Sequence, residues 1–202
     1  MKADSIVFAI AGMCFGVILG WVLATQQMDR SARVAAVPAP AAGNTQQRAP
    51  LDEGRVKELT ATLASDPKNA AATVQLANVY FDGERYDEAI KWYEQALKLD
   101  PKNVDASTDL GVSYYYMNQA DRALQQFDYS LKLDPRHTKT LLNQGIVMAF
   151  GKQDLTGASA AWQKVVDIAP NSPEGQAASR ALEGVAAAHQ KRQQGGAPVP
   201  GN

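Results

Sequence analysis

The stretch that decides the fold runs from Pro101 to Pro135 and reads PKNVDASTDLGVSYYYMNQADRALQQFDYSLKLDP. It is bounded by two Asp-Pro dipeptides. Prolines recur in the same way at Pro67, Pro101, Pro135 and Pro170, with spacings of 34, 34 and 35 residues. Because proline disfavours a helical conformation in the residue before it, each of these prolines indicates the end of a helix. A period of this length predicts a stack of repeated two-helix units.

Small and apolar residues return at fixed offsets between these prolines. The three sets are Leu76, Ala77, Tyr80, Ala89, Tyr93 and Ala96; then Leu110, Gly111, Tyr114, Ala123, Phe127 and Ser130; then Gly145, Met148, Ala158, Trp162 and Val165. This pattern resembles the tetratricopeptide repeat, in which L-G-x₂-Y, A-x₃-F and P recur over 34 residues. The resemblance covers about half of the chain. It implies an all-α fold, an α-solenoid of helical hairpins.

Each position in this pattern has a physical reason. A small Ala or Gly lets the two helices of a hairpin approach closely, while Tyr, Phe or Trp fills the wedge between successive hairpins. One hairpin cannot bury its apolar face alone, so at least three must stack. The third repeat departs from the pattern: Gln144 replaces Leu, Met148 replaces Tyr, and one extra residue is expected within Gly151–Gly157.

Residues outside the three repeats predict helices that cover the ends of the stack. Val56, Leu59 and Leu63 share one helical face, and Ala178, Leu182 and Val185 share another. Asn69, Asn103 and Ser172 are expected to cap helices, with Pro173 in a first turn. The predicted segments are a tail at 1–5, a membrane anchor at 6–25, a flexible linker at 26–50, a half-repeat helix at 51–66, repeats at 67–103, 104–137 and 138–172, a capping helix at 173–193 and a disordered tail at 194–202.

The N-terminal segment is predicted to form a single transmembrane helix before the repeats. Ile6 to Ala24 contains 19 residues without a charge, long enough to span about 28 Å of a bilayer core roughly 30 Å thick. A cleaved signal peptide is the alternative, although its apolar region usually has only about 7–15 residues and ends in a better cleavage site. The five-residue tail before this helix favours a repeat domain on the periplasmic side of the cytoplasmic membrane.

Gly12, Gly16 and Gly20 lie four residues apart and form one flat face of this predicted helix. Small faces of this kind let membrane helices pack closely. Glycine is also simply common in membrane helices, so the face has two interpretations of equal weight. Self-association through it is one hypothesis.

The charges and the chemistry of the chain exclude several functional classes. Within 66–170 there are 11 Lys/Arg and 14 Asp/Glu, a balance of 11 − 14 = −3, whereas nucleic-acid binding needs a basic surface. Cys14 is the only cysteine, and His137 and His189, both expected at the surface, are the only histidines. The sequence therefore predicts no metal site, no cofactor and no catalytic constellation, and hence no enzyme.

The resemblance also implies a binding surface, because in this family the first helices of the hairpins line a concave groove. The residues expected there for a protein or peptide client are Val74, Asn78, Phe81, Thr108, Val112, Tyr115, Tyr116, Lys139, Leu142, Ile146 and Phe150. The alternative for Tyr115, Tyr116 and Phe150 is that they only seal contacts between hairpins.

The carboxylate clamp by which some relatives hold a chain terminus is not expected here. Its matching positions are Val74, Asn78, Asp109, Lys139 and Asn143, of which only Asn78 and Lys139 agree with the family's residues. Asp109 would repel a carboxylate. The groove is therefore expected to take apolar anchors.

Together these features predict a membrane-tethered scaffold or adaptor for a protein client. The architecture resembles bacterial tethered repeat proteins of cytochrome c maturation and of the translocon, and Trp162–Pro173, WQKVVDIAPNSP, resembles the former. The alternative is a structural assembly subunit, a homo-oligomer formed through the glycine face and the repeats.

Overall fold

The computed structural model describes residues 49–195, with side chains up to residue 190. The predicted membrane helix at 6–25, with Gly12, Gly16 and Gly20, lies outside the described residues, as do most of the linker and the C-terminal tail. Within 49–195, every helix is too short or too polar to cross a membrane.

The described part of the chain is all-α and consists of helices paired in chain order. The helices are α1 (Glu53–Ser65), α2 (Ala70–Asp82), α3 (Tyr86–Leu99), α4 (Val104–Tyr116), α5 (Ala120–Leu133), α6 (Thr138–Ile146), the π-turn Val147–Gly151, α7 (Leu155–Ile168) and α8 (Pro173–Gly195). Helices α2 and α3, α4 and α5, and α6 and α7 form three hairpins, and each hairpin packs on the next. Helix α1 covers the first hairpin and α8 covers the last.

Five of the described helices begin where a short polar side chain accepts a hydrogen bond from a free backbone amide. Asn69 accepts a hydrogen bond from the backbone N–H of Ala72 at 2.9 Å, and Asn103 accepts one from Ala106 at 2.9 Å. Ser172 does the same for Gly175 at 3.0 Å, and the helix that it caps starts at Pro173. The three predicted caps are thus confirmed, because each side chain supplies an acceptor that the first turn lacks.

Close approach of the two helices of each hairpin depends on glycine in the second and third repeats. A Cβ atom at Gly111 would lie 2.5 Å from Cε1 of Phe127, and one at Gly145 would lie 2.6 Å from Cδ1 of Trp162. Both aromatic rings are buried, Phe127 completely. The rings occupy the space that a β-carbon would need, which confirms the predicted role of the small residue.

The two ends of the stack are covered as the apolar spacing predicts. Leu59 and Leu63 of α1 are buried against Leu76 of the first hairpin. At the other end Ala178 of α8 is fully buried and Leu182 is half-buried. Val185 is also half-buried, whereas residues 186–190 are exposed, so the cover extends to Val185.

The three turns inside the hairpins share one backbone geometry. Glu84, Asn118 and Gln153 adopt left-handed φ angles of 55°, 59° and 57°. Glu84 and Asn118 are 34 residues apart, whereas Asn118 and Gln153 are 35 apart. The extra residue of the third repeat therefore precedes Gln153.

The structure corrects the expected place of that extra residue, which was Gly151–Gly157. It is accommodated in the π-turn Val147–Gly151, where the N–H of Lys152 donates to the carbonyl of Val147 at 3.1 Å. A π-turn holds one more residue than an α-turn. Val147 and Ala149 stay buried through this widened turn, so the insertion is absorbed without unpacking the hairpin.

Candidate partner-binding surface

The eleven residues predicted to line the groove differ in how far a partner can reach them. Exposed or half-buried are Val74, Asn78, Phe81, Tyr116, Lys139 and Phe150. Buried are Thr108, Val112, Tyr115, Leu142 and Ile146. The assignment of these residues to a binding groove stays a prediction.

Some of the buried positions have contacts that join neighbouring helices. The hydroxyls of Thr108 in α4 and Thr140 in α6 are hydrogen-bonded at 2.6 Å. The carbonyl of Leu142 accepts a bond from the indole N–H of Trp162 at 3.2 Å. These residues hold the hairpins together.

Four aromatic side chains gather at the hairpin turns of the first and second repeats. We call Phe81, Tyr86, Tyr115 and Tyr116 the aromatic edge. The rings of Tyr86 and Tyr116 are stacked, with centroids 4.4 Å apart and an interplanar angle of 5°. Phe81 meets Tyr86 edge-on at 5.4 Å and Tyr116 at 6.1 Å. This geometry is favourable for aromatic pairs and links repeat one to repeat two.

The phenols of the aromatic edge keep their protons at physiological pH. Burial raises the pKa of Tyr86 well above its ordinary value, and the neighbouring Tyr116, Glu84 and Asp82 add to that shift. Burial and Glu84 likewise raise the pKa of Tyr116. Both side chains therefore present a neutral ring with a hydroxyl that can donate a hydrogen bond.

Phe150 is placed differently from the other aromatic residues of the predicted groove. It lies in the π-turn and is 58% exposed, the largest value among the exposed large hydrophobic residues in the described chain. The next residue, Gly151, packs closely enough that an added Cβ would lie 3.3 Å from Cε2 of Tyr115. Tyr115 and Tyr116 thus do seal contacts between hairpins, while the ring of Phe150 points to solvent.

A polar region of the same helices lies between the second and third repeats. Lys139 Nζ forms an ion pair with Asp109 Oδ1 at 2.7 Å. Burial raises the pKa of the Asp109 carboxyl, although Lys139 acts in the opposite direction. Within the first hairpin, the Tyr93 hydroxyl donates to the side-chain oxygen of Asn78 at 2.6 Å. Both residues that match the carboxylate clamp, Asn78 and Lys139, therefore already have partners inside the fold.

His137 was expected at the surface, and the structure shows it half-buried. Its side chain is 21% exposed, Nδ1 lies 2.6 Å from the Thr140 hydroxyl, and Nε2 lies 3.4 Å from Asp105 Oδ1. His137 occupies the capping position that Asn69 and Asn103 fill in the first two repeats, but it makes no capping bond. That substitution at a repeat position is the sequence signal that could have revealed its inward contacts. Across 49–190, no three His, Cys, Asp or Glu side chains converge into a group that could hold a metal.

Comparisons with known proteins agree with this architecture. Residues 77–118 match a family model described as TPR repeat, and residues 108–173 match one described as tetratricopeptide repeat. No protein of curated function matches the sequence.

Several solved structures share the fold. The first TPR of Spaghetti (RPAP3), solved bound to the HSP90 peptide SRMEEVD, is 26% identical, with a TM-score of 0.55 over 62% of this chain and 96% of that one. The first TPR domain of human RPAP3 is 25% identical, with a TM-score of 0.56 over 63% and 98%. The crystal structure of MamA is 16% identical, with a TM-score of 0.55 over 70% and 91%, and shows the fold alone. This chain therefore carries tetratricopeptide repeats, folded as an all-α solenoid.

Proposed function

We propose that the protein is a protein-interaction scaffold whose client binds along the first helices of the hairpins and is anchored beside the π-turn. The observation that carries this proposal is the exposure of Phe150, which is 58% accessible although it follows the buried Ala149. Exposed aromatic anchors next to a rigid, packed surface are typical of binding hot spots. Tetratricopeptide repeats serve as interaction scaffolds, and no catalytic role is part of the proposal.

The client of this surface carries apolar anchors rather than a terminal carboxylate. The RPAP3 domain is solved with the acidic peptide SRMEEVD. Here the ammonium of Lys139 is neutralised by Asp109 at 2.7 Å. A carboxylate entering this position would have to displace Asp109 and would meet its charge. A peptide with aromatic or aliphatic side chains meets Phe81, Tyr116 and Phe150 without that cost.

We further propose that residues 6–25 tether this scaffold to the lipid of the cytoplasmic membrane, with the repeats on the periplasmic side. Support comes from the uncharged run Ile6–Ala24 and the short tail before it. A scaffold held there would serve the assembly of a membrane or extracytoplasmic complex. The likeness of Trp162–Pro173 to tethered proteins of cytochrome c maturation favours that process as the setting. Protease added to intact spheroplasts should digest the repeats if they face the periplasm and leave them intact if they face the cytoplasm.

The glycine face of the predicted anchor supports a second proposal, a homo-oligomer that acts as an assembly subunit. Oxidative crosslinking through Cys14 in membranes tests it. A Gly16→Ile variant should lose the crosslinked dimer, because a large side chain separates the two helices. Dimer yields that match those of the parent chain would rule this packing out.

Retrieval from detergent-solubilised membranes tests the scaffold directly. The full chain should retain a protein of different sequence, and Phe150→Ala should reduce the retained amount at least about tenfold, the loss expected for a hot-spot ring. Tyr129→Ala is the matched control, since Tyr129 is another exposed aromatic residue, 39% accessible, on the second helix of its hairpin. Equal retention by both variants, or retention of the chain's own copies alone, would refute the client surface.

A further inference from the structure

The chain enters the fold beside the aromatic edge. The side chain of Leu51 lies against Gly83, where an added Cβ would be 2.9 Å from Leu51 Cδ1. Gly83 follows Phe81 by two residues and precedes Tyr86 by three. The segment before Leu51 therefore leaves the helical stack at the hairpin turn that carries half of the aromatic edge.

That preceding segment has a composition suited to such a surface. Residues 36–41 read AVPAPA, with Pro38 and Pro40 separated by one alanine. Proline-rich segments adopt the extended polyproline conformation, which loses little entropy on binding and docks on aromatic surfaces. Phenol hydroxyls at such surfaces can donate to carbonyls of the extended peptide, and the neutral hydroxyls of Tyr86 and Tyr116 are suitable donors.

The connection is long enough for the proline segment to return to the edge. Leu51 follows Ala41 by ten positions, a distance of up to about 31 Å when the chain is extended at about 3.1 Å per residue. Gly43-Asn44 within them favours a reversal of direction. Charge also fits, because Arg48 is the only charged residue from Val34 to Pro50 and exposed Asp82 and Glu84 flank the edge.

We propose that the aromatic edge binds the chain's own residues 36–41. The inference rests on the proposed function, because a segment docked on Phe81 and Tyr116 competes with a client for the same rings. A linker of this length gives an effective concentration on the order of mM. Even a contact with a Kd of about 1 mM would therefore be occupied for a large share of the time.

Photo-crosslinking in the full chain, held in detergent micelles, tests this contact. A benzophenone amino acid replaces Ala39, between the two prolines, and mass spectrometry locates the linked residue after irradiation. The product should be intramolecular and map to Phe81, Tyr86 or Tyr116. Pro38→Ala combined with Pro40→Ala should lower its yield several-fold, and this variant leaves every helix of the described fold untouched.

A pair of tyrosine variants separates recognition by the edge from chance proximity. Tyr116→Ser removes the stacked ring and should reduce the yield several-fold, whereas Tyr129→Ser should leave it unchanged. If circular dichroism shows that Tyr116→Ser is unfolded, the proline variant alone tests the proposal. Crosslinks spread over the surface, a product between two chains, or a yield insensitive to the proline variant would each overturn the proposal.

The client surface itself can stand when the internal contact fails. In that case the Phe150-dependent retention of a membrane protein persists while the crosslink from position 39 is absent. Loss of the Phe150 effect with the crosslink preserved would instead leave a docked segment and no client. The two proposals therefore fail in different measurements. If both hold, the double proline variant should also retain more client, because it frees Phe81 and Tyr116.

Discussion

The second and third repeats follow the same plan up to the end of their first helices and then diverge. In the second repeat α4 runs as a regular helix to Tyr116 and places Tyr115 and Tyr116 against neighbouring hairpins. In the third repeat α6 ends at Ile146 and continues as the π-turn Val147–Gly151. At the repeat positions of the two tyrosines, the third repeat has Ala149, which is buried, and Phe150, which is 58% exposed.

This difference shows how a repeat protein can expose an aromatic side chain without disturbing its core. In both repeats a glycine of the first helix packs against a buried aromatic ring of the second helix, whether or not the extra residue is present. A π-turn is a local change that is common at functional sites. The comparison predicts that core substitutions destabilise both repeats, while substitutions at the turn act on binding in the third repeat only.

The largest expected effect is the loss of stability when the buried aromatic ring of either repeat is removed. Phe127→Ala and Trp162→Ala should each lower the free energy of unfolding by about 3–5 kcal/mol, because each removes a buried ring and leaves a cavity. Chemical denaturation followed by circular dichroism measures both. A loss for Trp162→Ala that is much smaller than that for Phe127→Ala would show that the π-turn has loosened the third hairpin. Tyr129→Ala, at an exposed ring, is the control and should cost less than about 1 kcal/mol.

The next effect concerns the glycines under those rings. Gly111→Ala and Gly145→Ala should destabilise the fold by about 1–3 kcal/mol, since the added methyl overlaps the ring. We expect the greater loss at Gly145, because the indole of Trp162 is fixed by its bond to the Leu142 carbonyl. Gly184→Ala is the matched control: apart from the neighbouring backbone of its own helix, nothing lies within 4 Å of an added Cβ there. Thermal unfolding should show a gain of about 0.5–1 kcal/mol for that control.

A smaller effect compares the three hairpin turns. Glu84→Gly and Gln153→Gly should each stabilise the protein by about 0.5–1 kcal/mol, because the left-handed conformation strains a residue with a long side chain. Asn118→Gly should give a smaller gain in stability, since asparagine tolerates this conformation. Melting temperatures of the three variants measured side by side provide the test. A gain at Asn118 that exceeds both others would contradict the common turn geometry.

The smallest expected effect is the pH dependence of stability that Asp109 causes at the junction of repeats two and three. Because burial raises the pKa of Asp109, the folded state binds a proton at this carboxyl more readily than the unfolded state does. Acidification through that pKa therefore stabilises the parent chain relative to Asp109→Asn, which has no such proton. Denaturation midpoints of both proteins at a series of pH values measure the difference. A difference that is constant with pH, or that favours the variant at low pH, would contradict the burial of this charge.

Much of the fold follows from local rules that the sequence displays. The proline spacing identifies the repeat. The caps at Asn69, Asn103 and Ser172 follow from side chains that reach a backbone N–H of the first helical turn. The position of the π-turn could not be predicted in the same way. An extra residue can be absorbed in a loop or in a helix, and only packing decides: burial of Val147 and Ala149 keeps the helix continuous and widens its last turn.

The candidate surface was less predictable than the fold. The repeat pattern assigns Tyr116 and Phe150 to the same position, yet it does not tell a packed ring from an exposed one. That distinction depends on contacts with the neighbouring repeat, such as the stacking of Tyr116 on Tyr86. The inward contacts of His137 were missed for the same reason, since its partners Thr140 and Asp105 lie on two different helices.

Photo-crosslinking at the π-turn tests the central claim most directly. A benzophenone amino acid at position 150 of the full chain is irradiated in native membranes, and the same residue at position 129 serves as the control. The account predicts a crosslinked protein of different sequence from position 150 and little or none from position 129. Products limited to lipid or to further copies of this chain at position 150, or the same protein captured equally from both positions, would contradict it.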